Sequence, residues 1–278
     1  MEERARLLRA LLRLVGQPVS RRLLVELFGE EAVEGLLGTY LREVQPGLVA
    51  APGSSMPLGA RERARYLRAV SARLAHLIAS RGIVMAGLSG SVTYGVLGPK
   101  GDLDLFLVTR PGRLVRELLR AFVQLRALNR TLPIRVEVSL AMDAPSFVRH
   151  TFLEGDPLVR MDASRALLLK GAAEYARLEA GHRSRTALSL NGPGPLGWFI
   201  EGLLFTPLRA YVGLRGLLLN LSLRRRRSYL HMFQLRFTPR SYVAESARYA
   251  LLRRLYWRLL AGPRARAAAS YLSEHRPP

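Results

Sequence analysis

Residues 87–109, GLSGSVTYGVLGPKGDLDLFLVT, decide how the rest of the 278-residue chain is read. The apolar run IVMAGL at 83–88 leads into Gly90 and Ser91, ten residues intervene, and Asp102-Leu103-Asp104 heads a second apolar run, DLDLFLVT, at 102–109. Both runs are short and bounded by glycine, which predicts two strands joined by a glycine-rich loop from Gly95 to Gly101. Successive side chains of a strand point to opposite faces. Asp102 and Asp104 therefore project from one side, and Leu103, Leu105 and Leu107 from the other. Two carboxylates that close repel, raising one pKa, unless they share a cation; an oxygen pair of this kind suits magnesium carrying substrate phosphates.

A helix from about Arg113 to Leu128 is expected next, followed by a third strand, IRVEVSLA, at 134–141. Alternation places Ile134, Val136, Val138 and Leu140 on one face and Arg135, Glu137 and Ser139 on the other. Glu137 is the only carboxylate of that strand. If the strand lies beside Asp102 and Asp104, three carboxylates gather, as two metal ions require when they activate an attacking oxygen and stabilise a leaving pyrophosphate. The other reading is that Glu137 merely pairs with Arg135. A glycine at the strand-to-helix turn lets the backbone approach a ligand closely, and the Ser91 hydroxyl with nearby N–H groups can hold phosphate oxygens. Lys100, Arg110 and Arg113 are candidates to neutralise triphosphate charge, although Arg113 equally suits a helix surface.

Gly-Ser, a gap of this length, an Asp-apolar-Asp strand and a later strand carboxylate resemble the signature of the DNA polymerase beta-like nucleotidyltransferase superfamily. The match covers residues 83–141. The resemblance implies an α+β fold with a small mixed-sheet nucleotidyltransferase core and transfer of a nucleoside monophosphate from a nucleoside triphosphate to a hydroxyl acceptor. It implies triphosphate contacts at Gly90 and Ser91, two magnesium ions on Asp102 and Asp104, and a third ligand or base at Glu137. Glutamate stands where aspartate is more usual, and its extra methylene changes the reach of the carboxylate. The rival reading is a non-catalytic, nucleic-acid-binding or regulatory protein with a degenerate transferase fold.

Around this core the chain divides into an amino-terminal helical domain at 1–58, a connecting helix at 59–82, the core at 83–143 and a helical carboxyl-terminal domain at 144–278. Helices are expected at 2–15, 20–27 and 31–44, and the glycine and proline punctuation after them suits a hairpin. Three helices and a hairpin outline a winged helix, and any small helical cap fits the same outline. Glu30, Glu31 and Glu34 would repel phosphates from its recognition helix. The longest apolar stretch, Leu196 to Leu223, is interrupted by Glu201, Pro207, Arg209 and Arg215. That favours a buried or amphipathic helix pair over a membrane span, so membrane association is not expected; the rival is a peripheral membrane protein that uses these hydrophobics with Arg224 to Arg227.

The formal charge is +22, and from Arg183 onward seventeen arginines stand against three glutamates. Such asymmetry fits a polyanionic partner, with an RNA acceptor bound through the basic final third. Only Lys100 and Lys170 are lysines, so part of the excess reads as a compositional preference for arginine. The absence of cysteine excludes disulfides and thiolate metal sites. The acidic, helix-spaced opening is unlike a signal peptide, and a cytoplasmic location is expected. His76, His150, His182, His231 and His275 lack metal-ligand spacing, while Asp143, Glu154, Asp156 and Asp162 suit caps and turns. The GLSGS context of Ser91 has no Asp and His partners in the order a hydrolase needs.

Overall fold

A computed structural model describes residues 8–9, 12, 18–52, 54, 57–93, 97–98, 101–153, 163, 166–183, 194–225, 232–247 and 251. The chain is α+β with mixed sheets. It divides into two compact units, one of residues 1–59, 94–100 and 248–278, the other of 60–93 and 101–247.

In the first unit, β1 (Val19–Ser20) runs into α1 (Arg21–Phe28) and α2 (Glu30–Glu34), followed by β2 (Arg42–Gln45) and β3 (Leu48–Ala50). The three strands form an antiparallel sheet in the order β1-β3-β2. Leu24, Phe28, Val33, Leu36 and Val49 pack its core together with Leu8 and Leu12, which are themselves helical. The helix expected over 31–44 stops at Glu34 and the chain turns into β2, because Gly35 and Gly38 follow and Gly38 adopts a φ of 78°. Most of the helix expected at 2–15 lies outside the described residues.

The second unit is built on one six-stranded sheet, ordered β7-β4-β5-β6-β9-β8. Helix α3 (Ala60–Ile78) leads into β4 (Ile83–Ser89), and β5 (Asp102–Thr109) returns antiparallel to it. A right-handed crossover through α4 (Leu114–Leu128) would be the ordinary way to make the next pair parallel, and β6 (Arg135–Asp143) is indeed parallel to β5. Short α5 (Ala144–Val148) is capped by Asp143, which accepts a hydrogen bond from the Ser146 amide at 2.9 Å. Beyond it come β7 (Leu167–Lys170), α6 (Ala172–Arg183), α7 (Pro195–Arg225), β8 (Phe233–Thr238) and β9 (Ser241–Ser246).

The carboxyl-terminal part is therefore not purely helical, and the boundary expected after residue 143 does not separate two bodies. β9 pairs with β6 through Leu140↔Val243 and Ala141↔Tyr242, and β7 pairs with β4, so both ends of the sheet come from beyond Asp143. Edge strands otherwise leave backbone groups unpaired, which these additions satisfy for β4 and β6. The Leu196–Leu223 stretch is one helix rather than a pair. Pro207 removes one backbone bond, yet Glu201 and Leu208 are buried on either side of it and hold the helix to the body.

Register assigns the two faces of the sheet. Leu107, Ala141 and Tyr242 lie in one row, and the Tyr242 ring meets Phe122 of α4 edge-on at 5.5 Å between centroids. Phe237, paired with Tyr242, meets Phe205 of α7, so α4 and α7 cover this side. Phe106, Leu140 and Val243 lie in a row on the opposite side, where Phe147, Tyr175 and Leu178 pack over Phe106. Asp102 and Asp104 precede Phe106 on that second side.

Candidate active site

Strand β4 is buried almost throughout and ends at Ser89, which pairs with Asp104. The chain then makes a single 3-10 turn over Gly90–Val92, closed by Thr93, whose amide and hydroxyl both donate to the Gly90 carbonyl at 3.1 and 2.8 Å. Gly90 has a φ of 72°. A β-carbon there would stand 3.1 Å from the Asp104 carboxyl carbon and nearer still to Oδ2. Glycine is thus required for two reasons at once, the left-handed backbone and the carboxylate against it. Ser91 is the next residue of the same turn and is half-buried.

On the other flank, β6 brings Glu137 directly opposite Asp104, and Arg135 opposite Asp102. Adjacent strands lie about 4.8 Å apart, so these four side chains leave the sheet together at the end where β5 begins. Asp102 is exposed and Asp104 and Glu137 are half-buried, while Leu103, Leu105, Val136 and Val138 between them are buried. The alternation that identifies the carboxylate face in the sequence is the one the fold uses.

The glutamate is engaged locally. Arg135 Nη2 lies 2.6 Å from Glu137 Oε1, with the two side chains 62% and 31% exposed. An ion pair this exposed contributes about 0–1 kcal/mol, too little to fix the carboxylate against a divalent cation. Among the described residues no three His, Asp or Glu side chains converge closely enough to hold a metal. Asp102 and Asp104 share a face of β5 and offer the oxygen donors that magnesium prefers. Glu137 fits as a third ligand only if it turns from Arg135 toward Asp104.

The basic candidates are distributed differently from expectation. Arg110 follows the far end of β5, where its amide donates to the Gly82 carbonyl at 2.9 Å and its Nε to the Arg81 carbonyl at 3.1 Å. It lies six residues along the strand direction from Asp104, about 20 Å, which places it away from phosphates held at Asp104. Sequence proximity misled here because β5 is extended and carries its two ends apart. Arg113 precedes α4 at that same far end. Lys100 lies outside the described residues. Among the described strand residues, the cations that share the carboxylate face are Arg135 and, at the sheet edge, Arg236, which is exposed and paired with Val243 in the Phe106–Leu140–Val243 row. Arg236 could have been found from the alternation of LRF at 235–237, in which Leu235 and Phe237 mark the side toward α7.

One further shift comes from β6. Its register slips between the Leu105↔Val138 and Phe106↔Leu140 pairs, leaving Ser139 as an extra residue. Leu140 consequently joins the Phe106 and Met142 cluster on the carboxylate side instead of continuing the Val136 and Val138 face. The bulge turns an apolar floor of Leu140 and Phe106 beneath the carboxylates.

Two other ionisable groups are structural. The Lys170 ammonium donates to the Ile78 and Ser80 carbonyls at 3.0 and 2.8 Å, closing the end of α3, and burial lowers its pKa. Glu201 of α7 is buried and accepts from the Val115 amide at 2.8 Å and the Arg116 amide at 3.4 Å, capping α4 from a distant helix. Burial pushes its pKa up against the opposing pull of those amides and of Arg116.

The chain matches no protein-family model, no curated relative and no solved structure.

Proposed function

We propose that this chain is a nucleotidyltransferase that moves a nucleoside monophosphate from a nucleoside triphosphate to a hydroxyl acceptor. The observation carrying this reading is a single register: Asp104 faces the Gly90 turn on one side and Glu137 on the other. In the reaction the acceptor oxygen bonds to the α-phosphorus while the bond to pyrophosphate breaks, and the hydroxyl proton passes to Glu137 or to water. Gly90 and Ser91 would offer amide and hydroxyl donors to the triphosphate. Magnesium bound by Asp102 and Asp104 would supply the positive charge that offsets the triphosphate oxygens.

The amino-terminal unit supports a winged-helix reading, with two helices between β1 and β2 and the strand order β1-β3-β2. Glu30, Glu31 and Glu34 are exposed on α2, which disfavours contact with phosphates there. Arg236 on the carboxylate face favours a polyanionic acceptor, an RNA end ahead of a small hydroxylated molecule or a protein side chain. The Arg135–Glu137 pair favours a second reading, a nucleotide-binding but non-catalytic relative.

Nucleotide binding tests the site apart from turnover. Magnesium with each of the four nucleoside triphosphates should raise the melting temperature of the chain, and Asp104→Asn should remove the rise. Equal shifts in wild type and Asp104→Asn would place nucleotide elsewhere, and binding without pyrophosphate release would favour the non-catalytic relative.

A further inference from the structure

Helix α7 is long and apolar enough to cross a membrane by length and composition, but its inner stripe is committed to the protein. Glu201, Leu208, Val212 and Gly216 are buried, Glu201 caps α4, and Leu235 of β8 closes over Gly216 so tightly that a β-carbon there would collide with it. These contacts, from Glu201 to Gly216, hold the helix to the body and disfavour a bilayer span. Its opposite stripe is bare: Phe199, Leu203, Leu214, Leu217, Leu218 and Leu221 are 45–62% exposed. At 100° per residue these six fall within one face about 100° wide that carries no charge, while Arg209 and Arg215 are exposed to either side of it.

Charge decides what covers this face. The only acid of α7 is Glu201, which points inward, and exposed Arg224 and Arg225 close the apolar stripe. The chain as a whole carries +22. A second copy would bring an equal positive charge against it, whereas an anionic bilayer offers hydrocarbon for the leucines and headgroups for the arginines. We propose that α7 lies in the plane of an anionic membrane surface, with its leucine stripe in the acyl boundary and Arg224 and Arg225 among the headgroups. The sequence predicts a buried or amphipathic helix pair here; the segment is one helix with a buried stripe and an exposed apolar one. Because α7 covers the side of the sheet opposite Asp102 and Asp104, docking there leaves the carboxylate face open to solvent. The inference does not depend on the nucleotidyltransferase reading.

Sedimentation of the full chain with vesicles tests it. The chain should pellet with vesicles of mixed phosphatidylglycerol and phosphatidylcholine and remain in solution with phosphatidylcholine alone. Combined Leu214→Gln, Leu217→Gln and Leu221→Gln should weaken binding by about tenfold for each leucine, given the transfer free energy of that side chain. Glutamine keeps helix propensity and adds no charge. Arg224→Gln with Arg225→Gln should weaken it by about fivefold per arginine. Phe199→Gln with Leu203→Gln reports on the same face independently should the triple variant melt early. Absence of binding to anionic vesicles, or binding that both apolar variants leave unchanged, overturns the proposal. So does a dimer in solution that the leucine substitutions convert to monomer, which would assign the face to a second copy.

Discussion

Gly90, at a φ of 72°, leaves no space for a β-carbon between itself and the Asp104 carboxylate. Gly90→Ala should therefore cost about 1–2 kcal/mol of stability from the backbone alone. It should also displace Asp104 and remove nucleotide binding. A melting curve and a nucleotide titration check both. Normal binding by a destabilised variant would separate the turn from the site.

Asp102→Asn and Asp104→Asn take charge from an exposed and a half-buried position without disturbing the core. Each variant should keep its stability within about 0.5 kcal/mol of wild type while losing nucleotide consumption. Denaturant melts beside turnover assays measure this. Loss of activity that merely follows loss of fold would contradict it.

The Arg135–Glu137 pair gives a test of the third carboxylate. Arg135→Ala should release Glu137 and lower the magnesium concentration needed for half-maximal activity, with a stability change of about 1 kcal/mol or less. Glu137→Gln should lower the rate and leave nucleotide binding nearly intact. An unchanged rate in Glu137→Gln would reduce the site to Asp102 and Asp104.

Arg236 on the carboxylate face should contribute to holding an RNA acceptor. Its replacement by alanine should reduce the salt dependence of single-stranded RNA binding by about 0.7 log units per log unit of salt if it meets one phosphate. An unchanged slope would place the acceptor elsewhere.

Glu201 supplies a pH-dependent test of the fold. Burial raises its folded pKa above the ordinary carboxylate value. Its stabilising contribution is therefore fullest below the unfolded pKa and falls as pH rises toward the raised folded value. Glu201→Gln should remove that dependence and melt no lower than wild type at neutral pH. Glu201→Ala, which strands the Val115 amide, should cost about 1–3 kcal/mol.

The local core was readable in the sequence because Asp102, Leu103, Asp104 and Leu105 alternate without interruption and the fold keeps that alternation. The slip at Ser139 was not readable, since a bulge is set by the partner strand and carries no composition of its own. Arg110 and Arg113 looked close because they are near in sequence, while an eight-residue strand carries them to its opposite end. Strands β8 and β9 were hidden by an arginine-rich, proline-punctuated context, although Phe233, Leu235 and Phe237 do alternate. The course of α7 through Pro207 depends on tertiary anchors at Glu201 and Leu208, which no local propensity contains.

The most direct test of the central claim is transfer of label from α-phosphate-labelled nucleoside triphosphates, with magnesium, to total RNA, protein and metabolite acceptors, alongside pyrophosphate release. The account predicts stoichiometric label transfer and pyrophosphate release by wild type in at least one acceptor pool, and neither from Asp104→Asn. No transfer with any nucleotide or pool, or transfer undiminished in Asp104→Asn, would contradict it.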